Sequence, residues 1–349
     1  MSAMIQVTPG ELNSTSGKPL ERTKIPVQHP GHGFGGLKNR NYSMNLKQER
    51  LASDSQARLR PNLAPTPAPI NGARAYGYLN QITELGPRPA GSAANTLQRQ
   101  LVTQQFARNG AVVREQPFTG VDPLSGAKVE MANLVGSWHP ERTERVVIAA
   151  HYDTRPFPDR ETDPNLRQVP YLGANDGASG VALLMELANQ LENLPTTVGV
   201  DLVLFDGEEL VYNEKGEYFL GSKEFVRDYH EGIEQGTNTD RYKSAIVLDM
   251  VGGKNLQIKK EPYSLQQAPT LVQDVWKVAR RLKVSAFRNN VGRAVLDDHV
   301  ALSNGGIPAI DVIDFDYPYW HKAQDRPENC SPASLRQVGR VVTGWLAKN

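Results

Sequence analysis

The sequence predicts an α/β fold, a three-layer α/β/α sandwich with a mainly parallel mixed central sheet. Two observations carry this. From residue 145 onward, short runs rich in Val, Ile and Leu alternate with segments whose apolar residues recur at three- or four-residue spacing. That is the pattern of strands and helices in βα units. The apolar runs also end on acidic or histidine residues: His151 and Asp153 in VVIAAHYDT, Glu208 and Glu209 in VLFDGEE, Asp249 in AIVLDM. Open α/β sheets gather ligands at the carboxyl ends of their strands.

Residues 1–72 are rich in Gly, Pro, Ser and Asn, with a proline-stiffened stretch PNLAPTPAPINGA, and read as a flexible or extended N-terminal segment. The two histidines of HPGHGFGG, within it, read as part of a loop. Residues 73–349 read as one catalytic domain. Its first helix covers 73–86 and stops at Gly86-Pro87; a second, over 92–109, stops at Asn109-Gly110. AVVREQPF and KVEMANLVGSW read as paired strands around a turn at DPLSG. Strands then follow at VVIAAH, VDLVLFD, SAIVLDM and AIDVID. The intervening helices are ASGVALLMELANQL, FLGSKEFVRDY and PTLVQDVWKVARRL. A last helix begins at Ser331-Pro332, a cap followed by a proline suited to the first helical position.

Composition excludes several classes. The 39 Lys and Arg nearly cancel the 38 Asp and Glu, so no global field draws in nucleic acid or an anionic membrane. Cys330 is the only cysteine, which rules out an intrachain disulfide and a Cys-based zinc site. No apolar run approaches the roughly 18 residues of a membrane span. The N-terminus shows no secretory apolar region, so the expected location is cytoplasmic by default, or secreted or periplasmic if the start is misassigned. Oligomeric state is not legible.

The chemistry rests on oxygen and imidazole donors, the set that suits zinc. His151 and Asp153 lie two apart at a strand end, so Asp153 is expected to accept the second N–H of His151. Asp176, in GANDGASG, is either a site residue or the cap of the helix that follows. The adjacent carboxylates Glu208 and Glu209 would repel unless one binds a metal and the other exchanges protons. Asp249 closes an apolar strand and has to be paired. Asp297, Asp298 and His299 suggest a charge-coupled site or a solvated turn. His321 follows three aromatics in YPYW that could wall a pocket. The insertion over 155–172 is of the active-site-loop type.

The motifs HYD, GANDGASG, FDGEE, LDM and WH, taken in this order, resemble the M28 zinc metallopeptidase superfamily over residues 73–349. The resemblance is greatest to its glutaminyl-peptide cyclotransferase branch. It implies an enzyme acting on peptide or protein N-termini, turning N-terminal glutamine into pyroglutamate with release of ammonia. It further implies Asp176, Glu209 and His321 as zinc ligands, Glu208 as the proton-transfer carboxylate, and Trp320 and Tyr317 as pocket walls. In the cyclase branch one zinc is implied, with Asp249 and Asp297 in an acid network with Glu208 and with Asp298 and His299 behind them. The alternative is a two-zinc aminopeptidase, in which His151 and Asp249 complete a second site bridged by Asp176. Asp297-Asp298-His299 and Trp320-His321 fit the cyclase branch. Leu296, a polar residue in animal cyclases, departs from it, as does the lack of a tryptophan after Glu209.

Overall fold

The computed structural model describes residues 69–211 and 216–349. Apart from 69–72, the expected N-terminal segment, its linker and its two histidines lie outside those residues.

A six-stranded sheet has the order β1-β2-β4-β3-β5-β8. Its strands are β1 (Val112–Val121), β2 (Lys128–Trp138), β3 (Glu144–His151), β4 (Gly199–Phe205), β5 (Arg241–Asp249) and β8 (Ala309–Ile313). β4, β3, β5 and β8 run parallel, while β1 pairs antiparallel with β2 and β2 with β4. The sheet is mixed and mainly parallel, as expected. The antiparallel hairpin β1–β2 turns where DPLSG predicts, with Asp122 accepting the N–H groups of Leu124 and Ser125.

Successive residues of β3 face opposite layers, as the two-residue period of a strand requires. Val146, Ile148 and Ala150 pack into the larger core, against α1 (Gly72–Thr83), α2 (Ala93–Arg108), α3 (Ser179–Leu191), α6 (Pro269–Arg281) and α8 (Pro332–Leu346). Val147 and Ala149 pack on the other face, with Phe225 of α4 (Leu220–Glu234) and Leu302 of α7 (Asp298–Asn304). A sheet buried on both faces has continuous apolar strands, which is why β3 and β4 carry so few polar residues. Each buried Val, Leu or Ile contributes about 1.5–3 kcal/mol.

Helix α3 is the central example. Its N-cap, Ala178, makes no side-chain cap, yet nearly every residue of the helix is buried. Burial rather than capping holds it in place. Glu186, buried on this helix, is answered by Arg74 at 2.6 Å and by the N–H of Asn71 at 2.7 Å, which fastens α1 to it.

Four short elements depart from the sequence reading: β6 (Ile258–Lys260), α5 (Pro262–Gln267), β7 (Phe287–Val291) and α7. β6 and β7 form a separate two-stranded parallel ribbon. Of the two readings of Asp297-Asp298-His299, a charge-coupled site or a solvated turn, the solvated turn does not hold. Asp297 is the N-cap of α7, and all three residues are buried. Among the described residues no helix is long and apolar enough to cross a membrane.

Candidate metal and active site

The chain reverses its progress across the sheet between β3 and β5. The connection from β3 leads to β4 on one side and that from β5 leads to β8 on the other, so their carboxyl ends flank a crevice. His151 ends β3 and Asp249 ends β5. Glu208 and Glu209 follow β4 after Gly207, whose φ of +73° favours glycine, and a Cβ there would lie 2.7 Å from Met131 Sδ. Asp176 precedes Gly177, with φ of +93°, where a Cβ would lie 2.5 Å from the Asp153 carbonyl oxygen. Only glycine lets these loops fold so tightly beneath the site. Asp176 does not cap α3, since the cap is Ala178, so its carboxylate is left to the site.

Two groups of donors form, and Asp176 belongs to both. His151, Asp176 and Asp249 bring one donor atom each within 4.8 Å of one another, and so do Asp176, Glu209 and His321. His151 Nε2 stands 3.2 Å from Asp176 Oδ1 and 3.2 Å from Asp249 Oδ1. His321 Nε2 stands 3.1 Å from Glu209 Oε1 and 3.4 Å from Asp176 Oδ2. The two oxygens of Asp176 are thus divided between two imidazoles. Buried carboxylates and imidazoles converging without a lysine among them match the ligand chemistry of zinc.

Around these donors lie residues that hold them. Asp153 faces His151 Nδ1 at 3.8 Å, too far for the hydrogen bond expected of it. Its carboxylate instead accepts the backbone N–H groups of Glu208 at 3.2 Å and Glu209 at 2.9 Å. Asp153 therefore sets the turn that carries both glutamates. Asp325 accepts the N–H groups of Asn175 and Asp176 and the hydroxyls of Tyr171 and Tyr317. Tyr317, expected as a pocket wall, is buried with its hydroxyl committed to Asp325, and so supports the Asp176 loop from behind. Trp320 is only half-buried. Its ring lies 4.7 Å from Phe315 and 4.4 Å from His321, with the Arg160 guanidinium 4.2 Å from its centre.

Electrostatics separate the two glutamates. Burial opposes ionisation of Glu209, but Arg155, its Nε 2.6 Å from Oε2, together with His321 holds that carboxyl far below the usual range. Burial first, and then the charge of Glu209, pushes the Glu208 carboxyl well up. The two neighbours are thus pushed in opposite directions, Glu209 toward the anion and Glu208 toward the neutral acid. Burial and the nearby carboxylates of Asp176 and Asp297 push Asp249 up to about 7, although His151 opposes this.

Behind Asp249 lies a third buried donor group, Asp297, His299 and Asp311. His299 Nε2 meets Glu261 at 3.2 Å, and Ser222 donates to Asp298. Burial, then the charges of Asp297 and Asp249, drives the Asp311 carboxyl well up, so protons relieve the crowding of charge there.

Arg155, Asp159, Tyr171, Glu261, Asp311 and Asp325 were not singled out from the sequence. Asp311 offered a signal: a lone carboxylate inside the apolar run AIDVI has to be paired, as was argued for Asp249. Glu261 carries a helix-cap signal, with Pro262 after it at the first helical position. Arg155, Asp159 and Tyr171 meet Glu209, His321 and Asp325, which lie far away along the chain.

Fold and site together define an α/β protein with a candidate metal centre at the carboxyl ends of its parallel strands. The model of peptidase family M28 matches residues 133–346, and the chain belongs to that family. It is 38% identical to the glutaminyl cyclase of Fimbriiglobus ruber, covering 81% of this chain and 97% of that one, with a TM-score of 0.78. It is 32% identical to a Zn-dependent exopeptidase from Parabacteroides distasonis, covering 81% of this chain and all of that one, with a TM-score of 0.73. A curated relative, the glutaminyl-peptide cyclotransferase-like protein of Mus musculus, is 24% identical over 342 residues, 90% of this chain and 84% of that protein. Family and neighbours point to zinc as the metal.

Proposed function

We propose that this protein is a zinc-dependent glutaminyl-peptide cyclotransferase, converting the N-terminal glutamine of peptides into pyroglutamate with release of ammonia. The observation that carries the reading is the likeness to a solved glutaminyl cyclase over nearly the whole of that chain. Asp176, Glu209 and His321 would hold the zinc, and the second triad would hold none tightly. When bound, the zinc acts as a Lewis acid toward the side-chain amide carbonyl of the glutamine.

The protein's own groups do the rest. Glu208, with its raised carboxyl, accepts a proton from the α-amine as nitrogen attacks the amide carbon. It returns that proton to the leaving nitrogen as the C–N bond breaks, so ammonia departs. A carboxyl whose affinity for protons is raised serves both directions of transfer. Asp249 and Asp297, which interact through charge with each other, form with Glu208 an acidic wall suited to an ammonium group. Trp320 and Phe315 offer an apolar wall that holds amine and carbonyl in contact, lowering the entropic barrier to ring closure.

The second reading, an M28 aminopeptidase with two zincs, is favoured by one observation: the oxygens of Asp176 face both imidazoles. The test is to incubate the purified protein with a Gln-initiated peptide and, separately, with a leucine anilide. Ammonia release and pyroglutamate from the first, with the anilide intact, is the expected result. Anilide cleavage without cyclisation would move the assignment to the peptidase.

A further inference from the structure

We propose that Asp159 is a positioning residue for the zinc site, a carboxylate carried by the 155–172 insertion that orients His321 through Nδ1. This rests on the reading that His321 holds zinc through Nε2. His321 sits in the left-handed region, at φ of +54°, a conformation that a bulky residue adopts only when its surroundings hold it there. Its ring is buried, and Nε2 is turned toward Glu209 and Asp176. Among the described residues Nδ1 has no aligned hydrogen-bond partner, and the carboxylate beside it is Asp159, with Oδ1 at 2.9 Å. A carboxylate behind a ligating imidazole fixes its tautomer and orientation and makes its other nitrogen a better donor.

The insertion is fastened to the histidine loop around this contact. The N–H of Arg160 donates to the His321 carbonyl at 3.1 Å, and Ala323 N–H donates to Glu161 at 3.2 Å. The Arg160 guanidinium covers Trp320. Arg155, at the start of the insertion, pairs with Oε2 of Glu209 and leaves Oε1 facing His321. One insertion therefore braces two of the three ligands of one triad. The donors His151 and Asp249 have no such brace.

Zinc affinity tests the proposal directly. The metal-free protein is titrated with zinc against a chromophoric chelator, with thermal unfolding as the check on folding. Asp159→Asn keeps the size and the hydrogen-bonding oxygen while removing the charge, and should bind zinc about 10-fold more weakly. Asp159→Ala should lose up to about 100-fold, the range measured for partners of this kind. Arg160→Ala removes a contact between the same two loops but no charge behind the imidazole, and should leave zinc affinity unchanged. Wild-type affinity in Asp159→Asn would overturn the proposal, as would an equal loss in Arg160→Ala, which would mean that loop fastening alone matters. Wild-type protein that takes up no zinc would overturn the zinc reading itself, a result distinct from either.

Discussion

In one half of the site His321 and Glu209 stand 3.1 Å apart, with Arg155 on the far oxygen of the glutamate and Asp159 behind the imidazole. In the other half His151 stands 3.2 Å from Asp249, its second nitrogen is 3.8 Å from Asp153, and among the described residues no arginine pairs with Asp249. The Asp249 side chain is more exposed than that of Glu209, 13% against 3%, so greater depth is not what makes it hold its proton. Fixed charge is the difference. Arg155 and His321 keep Glu209 ionised against burial, whereas Asp249, lacking a cation besides His151, holds its proton to about 7. A metal displaces an imidazole proton on either side, since His321 and His151 are both raised, but it meets an ionised carboxylate on one side and a carboxyl proton on the other. Both halves share Asp176, and the carboxyl beside each imidazole is what differs.

The largest expected effect tests that asymmetry. His321→Ala should lose tightly held zinc and reduce glutamine cyclisation to background, as read by metal analysis and ammonia release. His151→Ala should keep one zinc per chain and a measurable rate. Equal loss of zinc in both variants would mean that the two halves act together, as in the two-zinc reading.

Glu208→Gln comes next. It removes the proton carrier and none of the donors of either triad, so turnover should fall by about 10²- to 10⁴-fold with zinc content unchanged. Full activity would remove Glu208 from its role.

Asp325 supports Asp176, the donor that the two groups share. Its replacement by Ala strips the buried N–H groups of Asn175 and Asp176 of their acceptor, along with the Tyr317 hydroxyl, while Tyr171 keeps Asp176. Each buried group left unsatisfied costs about 1–3 kcal/mol. The unfolding midpoint in denaturant should drop accordingly, and zinc affinity should fall with it because Asp176 is loosened. An unchanged midpoint would show that the loop holds its shape without Asp325.

The smallest effect is one of pH. The Asp249 carboxyl is raised to about 7 in the folded, metal-free protein and titrates at an ordinary carboxylate value when unfolded. The folded state therefore binds the extra proton in the interval between. The stability this contributes is complete below the unfolded value and is lost as pH rises toward 7. Asp249→Asn has nothing to lose there. In thermal unfolding without metal, the variant should gain on wild type as pH rises from about 4 to about 7. A gap that does not change with pH would show that Asp249 is ionised throughout, and with it would go the difference between the two halves.

Much of this protein is legible in its sequence, where the controlling physics is local. Apolar runs such as VVIAAH and VDLVLFD predict buried parallel strands because a sheet covered on both faces has no polar side to show. Gly86-Pro87 and Ser331-Pro332 mark helix ends through backbone geometry alone. The short elements escaped because a three-residue strand such as IKK or a strand such as FRNNV, exposed along most of its length, carries no usable period. Helix α7 escaped because its cap, Asp297, also reads as a turn residue.

By itself, the sequence determined the fold class, the donor residues and the family they resemble, since periodicity, turn chemistry and motif order are written in consecutive residues. Only the tertiary structure decided how those donors divide. It turned Tyr317 into a support and drew Asp153 away from His151 to the glutamate turn. It brought Arg155 and Asp159 to one triad and left the other bare. Such contacts join residues more than fifty or a hundred positions apart across parallel strands. Their distances follow from how the sheet and its loops pack, which no local spacing encodes.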